Sequence, residues 1–199
     1  MSSGLEVKVA FGPEIGQFAD DLARLRISVF REFPYLYDGS IEYERGYIQR
    51  YIDSPECAFV LVLDQNKVVG ASTAQPMIHE IDEFKKPFID QGYHLDEVFY
   101  LAESVLLPEY RGRGLGHRFF DEREKFANSL RSFKWITFCA VDRPYDHPLR
   151  PSQYHPHDIF WGKRGYVKHP ELKAFLPWQE IGEEGESLKS LTFWLKSMQ

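Results

Sequence analysis

The chain has 199 residues, of which 16% are aromatic and 27% charged, and its formal net charge is −6. This length fits one full hydrophobic core, and the acidic balance argues against a general nucleic-acid binder, because phosphate binding needs a basic surface. No segment approaches the ~20 apolar residues of a membrane span, and no basic region followed by an apolar stretch begins the chain. We therefore expect one domain over residues 1–199, located in the cytoplasm.

The apolar pattern predicts strands and helices in alternation. The first half of the chain reads as a strand from Leu5 to Ala10, a helix from near Pro13 to before Pro34, a second helix ending by Pro55, and the strands Cys57–Leu63 and Val68–Ala74. The second half reads as a short helix around Phe84, a strand from Val98 to Leu107, a helix from Leu115 to Leu130, a strand from Trp135 to Val141, a proline-rich loop over 142–156, a short helix from Ile159 to Lys163 and a last strand from Leu188 to Leu195. This order predicts a mixed sheet with helices on its faces.

The most informative segment is a loop rich in glycine and arginine that runs into an amphipathic helix. Gly112, Gly114 and Gly116 occupy alternate positions, which lets the backbone approach a ligand closely. At a helix N-terminus, free N–H groups and the helix dipole favour an anion, and Arg111 and Arg113 add positive charge. These features predict a pyrophosphate site. The spacing matches neither a Walker loop nor a dinucleotide fingerprint.

The loop and a later segment match the motifs of one known family. Arg111-Gly-Arg-Gly-Leu-Gly116 is similar to a coenzyme A signature, with Arg111, Gly114 and Gly116 at its defining positions. Phe160-Trp-Gly-Lys-Arg-Gly-Tyr166 resembles a Phe-Tyr-Glu-Lys-x-Gly-Phe segment. Both motifs belong to the GNAT superfamily of acetyl-CoA-dependent N-acetyltransferases, which the chain resembles over nearly its whole length.

The resemblance implies an α/β (α+β) fold of the GNAT type. A central, mixed, twisted sheet of about six to seven strands is flanked by helices, and its fourth and fifth strands splay apart. Acetyl-CoA is the implied co-substrate, with its pantetheine arm against the backbone of Ser104, Val105 and Leu106. Its pyrophosphate is expected at the loop formed by Arg111, Gly112, Arg113, Gly114, Leu115 and Gly116. A homodimer is a further expectation, since dimers are frequent in families that resemble this one.

Direct acyl transfer to an amine needs a group that accepts a proton, and a second group can protonate the leaving thiolate. Glu103 is the charged residue of its apolar strand, close to the expected thioester, and is the candidate base or substrate-anchoring carboxylate; a structural carboxylate is the alternative. Many members of the family have a tyrosine where this chain has Trp161, whose indole N–H is too weak an acid. Tyr154 or Tyr166 can replace that tyrosine, unless the thiolate leaves without enzymatic protonation.

The segment after the first helix is predicted to wall the acceptor pocket. In the family, the loop that joins the first two helices commonly forms part of the acceptor site. Phe33, Tyr35 and Tyr37 can form rigid walls, and Asp38 can meet an ammonium group, with the loop over 142–157 on the other side. Packing of the same aromatics against the core is the alternative.

Metal binding is not expected, and the two cysteines are expected to be buried thiols. The histidines of the proline-rich loop have neither helical i,i+4 spacing nor a partner cysteine pair, so a solvated loop is the interpretation. The residues concerned are His147, His155 and His157 with Asp146 and Asp158, and the thiols are Cys57 and Cys139.

These features predict transfer of an acetyl or short acyl group from acyl-CoA to a primary amine of a small molecule. Neither a nucleic acid nor a membrane is an expected partner. A protein or peptide N-acetyltransferase is one alternative, which an open cleft would favour. A non-catalytic acyl-CoA-binding sensor is the other, favoured by the departure at Trp161.

Overall fold

The computed structural model describes residues 4–198, which alternate between strands and helices. The strands are β1 (Leu5–Phe11), β2 (Ala58–Asp64), β3 (Lys67–Pro76), β4 (Val98–Leu106), β5 (Trp135–Val141), β6 (Val167–Trp178) and β7 (Ser187–Ser197). The α-helices are α1 (Ala19–Phe30), α2 (Ile41–Ile52), α3 (Asp82–Asp90), α4 (Leu115–Leu130) and α5 (Asp158–Lys163). None of these helices is long and apolar enough to cross a membrane.

The strands form one mixed sheet in the order β1-β2-β3-β4-β5-β7-β6. β4 and β5 run parallel, and the other neighbouring strands are antiparallel. The predicted fold class, a mixed sheet flanked by helices, is confirmed.

The continuous apolar run of β2 reflects burial on both faces of the sheet. Phe59 and Leu61 pack in the cluster that contains residues of α1 and α2, whereas Val60 packs with Leu115 and Phe119 of α4. Successive strand side chains point to opposite faces, so a strand covered on both sides needs apolar residues throughout. Each such side chain contributes about 1.5–3 kcal/mol when fully buried.

β4 and β5 separate along their length, as the family resemblance implies. Their pairing covers Val98–Tyr100 against Trp135–Thr137 and goes no further. Beyond that point β4 stays paired with β3, and β5 with β7. A gap therefore opens between the carboxyl-terminal halves of two strands that are each held rigidly on their outer side.

The structure differs from the sequence-based prediction at two elements. α1 begins at Ala19, because a 3-10 segment, Gly12–Phe18, occupies the stretch after Pro13. β6 was not predicted. It is an edge strand, and Pro170 lies within a shift of register between His169 and Lys173. A proline in the sequence argues against a strand, but edge strands and bulges tolerate it.

Candidate active site

A cleft of about 1510 Å³ is lined by both splayed strands. β4 contributes Leu101–Ser104 and β5 contributes Phe138–Val141. The walls are Phe33–Tyr35 after α1, the glycine-rich loop, and much of the segment over 142–158.

The glycine-rich loop lies open to this cleft at the start of α4. Gly112 and Gly114 have φ values of +74° and +77°, and a Cβ built on either would meet nothing within 4 Å. His117 N–H donates to the Gly114 carbonyl at 3.1 Å, so the N–H groups before it, those of Leu115 and Gly116, have no acceptor within the helix. Open space, free donors and a helix dipole at one point fit a pyrophosphate group.

The two loop arginines are held by neighbouring groups. Arg111 donates from Nε to the Leu106 carbonyl at 3.1 Å and forms an ion pair with Glu32, with 2.9 Å between Nη2 and Oε2. Arg113 donates to the Glu109 carbonyl at 2.9 Å. Arg111 lines the cleft with a side chain that is partly exposed, whereas Arg113 does not line it.

The three residues of β4 that are predicted to contact the pantetheine arm do not all face the cleft. Ser104 and Leu106 line the cleft, whereas the side chain of Val105 is fully buried in the cluster under α1. Arg123 of α4 was not predicted as a site residue, but it contacts this part of β4. It donates to Ser104 Oγ at 2.9 Å and to the Glu103 carbonyl at 3.2 Å. Burial lowers the pKa of this guanidinium to about 10.

Glu103 lies on the floor of the cleft, 9% exposed, and is held from two sides. Arg26 of α1 forms an ion pair with it, with 2.7 Å between Nη1 and Oε1, and the Tyr47 hydroxyl of α2 donates to Oε2 at 2.8 Å. The Arg26 guanidinium also pairs with buried Glu44 and lies 3.8 Å from the Tyr47 ring centroid. The carboxylate therefore has a fixed orientation at the point where the strands part.

Arg26 and Tyr47 are site residues that sequence reasoning missed. Burial acts to lower the pKa of Arg26, but the carboxylates of Glu103 and Glu44 outweigh it and raise that pKa. A signal was present: Arg26 is a charged residue four positions after Leu22, on the apolar side of α1.

The two tyrosines proposed as proton donors lie in different places. Tyr154 lines the cleft, edge-on to Phe33 at 4.7 Å between ring centroids and under the Arg150 guanidinium at 5.0 Å, and burial raises its pKa. Tyr166 is not brought to the cleft. It is 2% exposed between α4 and β5, and its hydroxyl donates to Glu124 at 3.0 Å. Burial, followed by Glu124, raises its pKa.

The predicted acceptor wall is shorter than the sequence suggested. Phe33 and Tyr35 line the cleft, but Tyr37 and Asp38 do not. The chain turns away after Tyr35, because Tyr37 forms a β-bridge with Glu180 and Asp38 is exposed in an ion pair with Arg31, with 2.6 Å between Nη1 and Oδ1.

Arg143, on the opposite loop, joins the two walls of the cleft. Its guanidinium donates to the carbonyl of Tyr35 at 3.0 Å and to that of Pro34, and it pairs with Glu180. The loop after α1 and the loop after β5 are thereby tied together, as the Phe33–Tyr154 contact also shows.

The two cysteines differ in their surroundings. Cys57 is buried, as expected, whereas Cys139 is only partly buried and lines the cleft. The Tyr100 hydroxyl lies 3.3 Å from Cys139 Sγ, and burial raises the pKa of this thiol to about 12. Within residues 4–198, no group of three or more His, Cys, Asp or Glu is arranged to hold a metal ion.

Comparison with known proteins identifies the class to which this fold and cleft belong. The model of the Acetyltransferase (GNAT) family matches residues 22–151, more than half of the chain. The chain belongs to the GNAT family of acetyltransferases, whose acyl donor is acetyl-CoA. No curated protein matches the chain.

Solved structures share the fold at low sequence identity. A candidate acetyltransferase from Acinetobacter baylyi ADP1 superposes with a TM-score of 0.62 at 11% identity, over 100% of this chain and 95% of that one. A candidate acetyltransferase from Salmonella typhimurium, solved with its cofactor acetyl-CoA, gives 0.61 at 11% identity over 99% and 95%. An acetyltransferase from Streptococcus agalactiae 2603 gives 0.59 at 18% identity over 98% and 99%.

Proposed function

We propose that this GNAT-family protein transfers an acetyl, or another short acyl, group from acyl-CoA to a primary amine of a small molecule. The observation that carries the proposal is that one cleft contains both the open glycine-rich loop and the rigidly held carboxylate of Glu103. Bound acyl-CoA supplies the thioester that the amine attacks.

Each part of the cleft has a role in this proposal. The N–H groups of Leu115 and Gly116, with Arg111, bind the pyrophosphate, and the edge of β4 at Ser104 and Leu106 positions the acyl arm. Glu103 accepts the proton that the amine loses on attack. Tyr154 is the hydroxyl on the cleft wall that can protonate the leaving thiolate.

The walls of the cleft favour a small acceptor over a polypeptide. Arg143 ties the carbonyl groups of Pro34 and Tyr35 to the opposite loop, so the acceptor side is bridged rather than an open groove. Phe33 and Tyr35 give this side two aromatic rings, which suit a compact, partly apolar amine.

Release of free coenzyme A from acetyl-CoA tests the proposal directly. The protein is assayed with a panel of small amines, with peptides bearing free N-termini, and with lysine peptides. Turnover is expected with at least one small amine and at a higher kcat/KM than with any peptide. A higher kcat/KM for the peptides would indicate a protein or peptide N-acetyltransferase instead. A thermal shift with acetyl-CoA but no release across the panel would assign the sensor.

A further inference from the structure

Glu103 is one end of a chain of hydrogen-bonded side chains that runs from the cleft into the protein. Tyr47 Oη lies 2.8 Å from Glu103 Oε2 and 3.0 Å from Tyr51 Oη. Tyr51 Oη lies 2.8 Å from Glu80 Oε1. Glu80 is 6% exposed and does not line the cleft, so the chain links a carboxyl at the site to a second carboxyl beneath it.

The number of protons in this chain depends on the state of its carboxyls. Three oxygen–oxygen contacts join the four groups, but two tyrosine hydroxyls supply only two protons. When both carboxyls are ionised, one contact therefore has no proton. A third proton on either carboxyl fills every contact, with each group donating to the next.

The surroundings of the two carboxyls decide which of them holds the third proton. Glu103 has a cationic partner, because it forms an ion pair with Arg26. Glu80 has no cationic partner in the described part of the chain; Gln75 Nε2 donates to it at 2.8 Å and the Ile81 N–H at 3.4 Å. Burial raises the pKa of Glu80, so this carboxyl holds a proton more tightly than an exposed glutamate does.

Within residues 4–198, the titratable groups with a resolved interaction with Glu80 lie on α2, before β2, on β4 and on β5, and none of them is a cation. They are the phenols of Tyr47 and Tyr51 on α2, the phenol of Tyr100 and the carboxyl of Glu103 on β4, and the thiols of Cys57 before β2 and Cys139 on β5. Neutralising Glu80 therefore relieves an unfavourable charge and creates none.

We propose that Glu80 stores the proton that Glu103 takes from the acceptor amine. With Glu80 ionised, an N–H bond of the attacking amine breaks and an O–H bond forms on Glu103. That O–H bond then breaks as Tyr47 gains a proton, Tyr47 passes its own proton to Tyr51, and Tyr51 passes its own to Glu80. The proton ends on Glu80, Glu103 is again a carboxylate, and both tyrosines stay neutral. The reverse shift returns the proton to the cleft, where it re-forms the O–H bond of Tyr154 that broke when the leaving thiolate was protonated.

This proposal rests on the proposed function and gives Glu80 a specific place in it. Glu80 touches neither substrate, so it acts through Glu103 as a positioning residue for the proton. Glu103 has a cationic partner in Arg26, whereas Glu80 is buried without one, and burial away from cations favours the protonated form of a carboxyl. The two tyrosines connect the group that meets the amine with the group that holds its proton.

Glu80→Gln and Tyr51→Phe test this role by different means. The amide of Glu80→Gln donates permanently to Tyr51 and fills the chain, whereas Tyr51→Phe interrupts it. Both variants are expected to lower kcat about 10-fold or more with an unchanged KM for acetyl-CoA. In the unmodified enzyme, kcat should rise with pH as Glu80 ionises, because only the ionised carboxyl can accept the proton. Glu80→Gln should not show this rise. Tyr43→Phe, on the same helix but outside the chain, should match the unmodified enzyme.

Infrared spectroscopy gives a readout that does not depend on turnover. The C=O band of a protonated carboxyl should persist to a higher pH than in an exposed glutamate, disappear in Glu80→Gln, and vanish at lower pH in Glu103→Gln. Absence of that band, or unmodified kcat and pH profiles in both Glu80→Gln and Tyr51→Phe, would overturn the proposal. The proposed function fails separately, if the unmodified protein releases no coenzyme A with any acceptor.

Discussion

Arg26 on α1 and Glu103 on β4 form a buried ion pair across two elements that are far apart in the sequence, with 2.7 Å between Nη1 and Oε1. The side chains of both residues are 8% exposed. The same guanidinium neutralises Glu44, so a single cation compensates two buried carboxylates. The floor of the cleft therefore depends on a helix that does not itself supply Glu103.

Replacing Arg26 should destabilise the fold far more than replacing its exposed neighbour. Arg26→Met leaves two buried carboxylates without a counter-ion, which should lower the free energy of unfolding by about 3–5 kcal/mol. Arg24→Met removes a side chain that is 62% exposed and paired with Asp21, and should change it by no more than about 0.5 kcal/mol. Urea denaturation measures both values. Similar decreases in the free energy of unfolding in the two variants would show that the buried ion pair contributes no more to stability than the exposed one.

Removing the charge of Glu103 should affect turnover rather than binding of acetyl-CoA. Glu103→Gln keeps the shape of the side chain but removes the proton acceptor, and kcat should fall by about 10²–10⁴. KM for acetyl-CoA should stay near its original value, because the glycine-rich loop is untouched. Glu97→Gln, which removes a carboxylate paired with Lys134 outside the cleft, is the control. Unaltered kinetics in Glu103→Gln would assign Glu103 a structural role.

A side chain at Gly114 should abolish binding of acetyl-CoA, in addition to straining the backbone. Gly114→Val places a branched side chain at φ +77° and into the space above the loop. Gly182→Val imposes similar strain at φ +88°, away from the cleft. Each should cost about 1–2 kcal/mol of stability. In thermal-shift measurements, Gly182→Val should keep the increase in Tm given by acetyl-CoA, and Gly114→Val should lose it. An increase in Tm with acetyl-CoA in both variants would contradict the assignment of the glycine-rich loop as the acetyl-CoA site.

Stability should depend on pH in opposite ways for two glutamates. Burial, ahead of Glu103, raises the pKa of Glu80 above 4.5, so the folded protein binds this proton more tightly than the unfolded chain. The resulting stability is complete below the unfolded pKa and is lost as pH rises through the folded pKa. Glu80→Gln cannot ionise and should gain stability relative to the unmodified protein as pH rises, by about 1.4 kcal/mol for each pH unit by which burial raises the pKa of Glu80.

Glu56→Gln supplies the comparison of opposite sign. The hydrogen bond from Arg131, more than the contact with His79, lowers the pKa of Glu56. Its stabilising effect is present above the unfolded pKa and lost as pH falls through the folded pKa. Denaturation from about pH 2 to 8 should therefore show Glu56→Gln losing relative stability as pH rises, with most of the change in the acidic range near and below the unfolded pKa of 4.5. The same trend in both variants would contradict the assignment of Glu80.

Loss of the Tyr154 hydroxyl should slow catalysis without unfolding the cleft wall. Tyr154→Phe keeps the ring against Phe33 and Arg150 and removes the proton donor proposed for the leaving thiolate. A decrease in kcat of at least about 10-fold is expected, at an unchanged Tm. Tyr145→Phe, on an exposed ring under the same Arg150, should leave both values unchanged. Equal kcat values in the two variants would show that the thiolate leaves without help from Tyr154.

Within the sequence, contiguous features were the ones that could be predicted. The glycine-rich loop, the helix that follows it and the apolar strand with Glu103 lie between residues 98 and 130, and local backbone chemistry specifies them. Glycines at alternate positions and the start of an amphipathic helix suffice to predict free N–H groups, because helix ends always leave them. The splayed strands followed from the family resemblance and are confirmed by the pairing of β4 with β5.

The tertiary structure alone decided what surrounds Glu103. Arg26, Tyr47, Tyr51 and Glu80 come from α1, α2 and the turn after β3, and no local spacing relates them to β4. It also separated Tyr154 from Tyr166, and Tyr35 from Tyr37, although each pair lies close in the sequence. The physical reason is that a buried charge must find its counter-ion and hydrogen-bond partners wherever packing brings them. Sequence patterns state which side chains must be buried, but only the packed chain determines which of them meet.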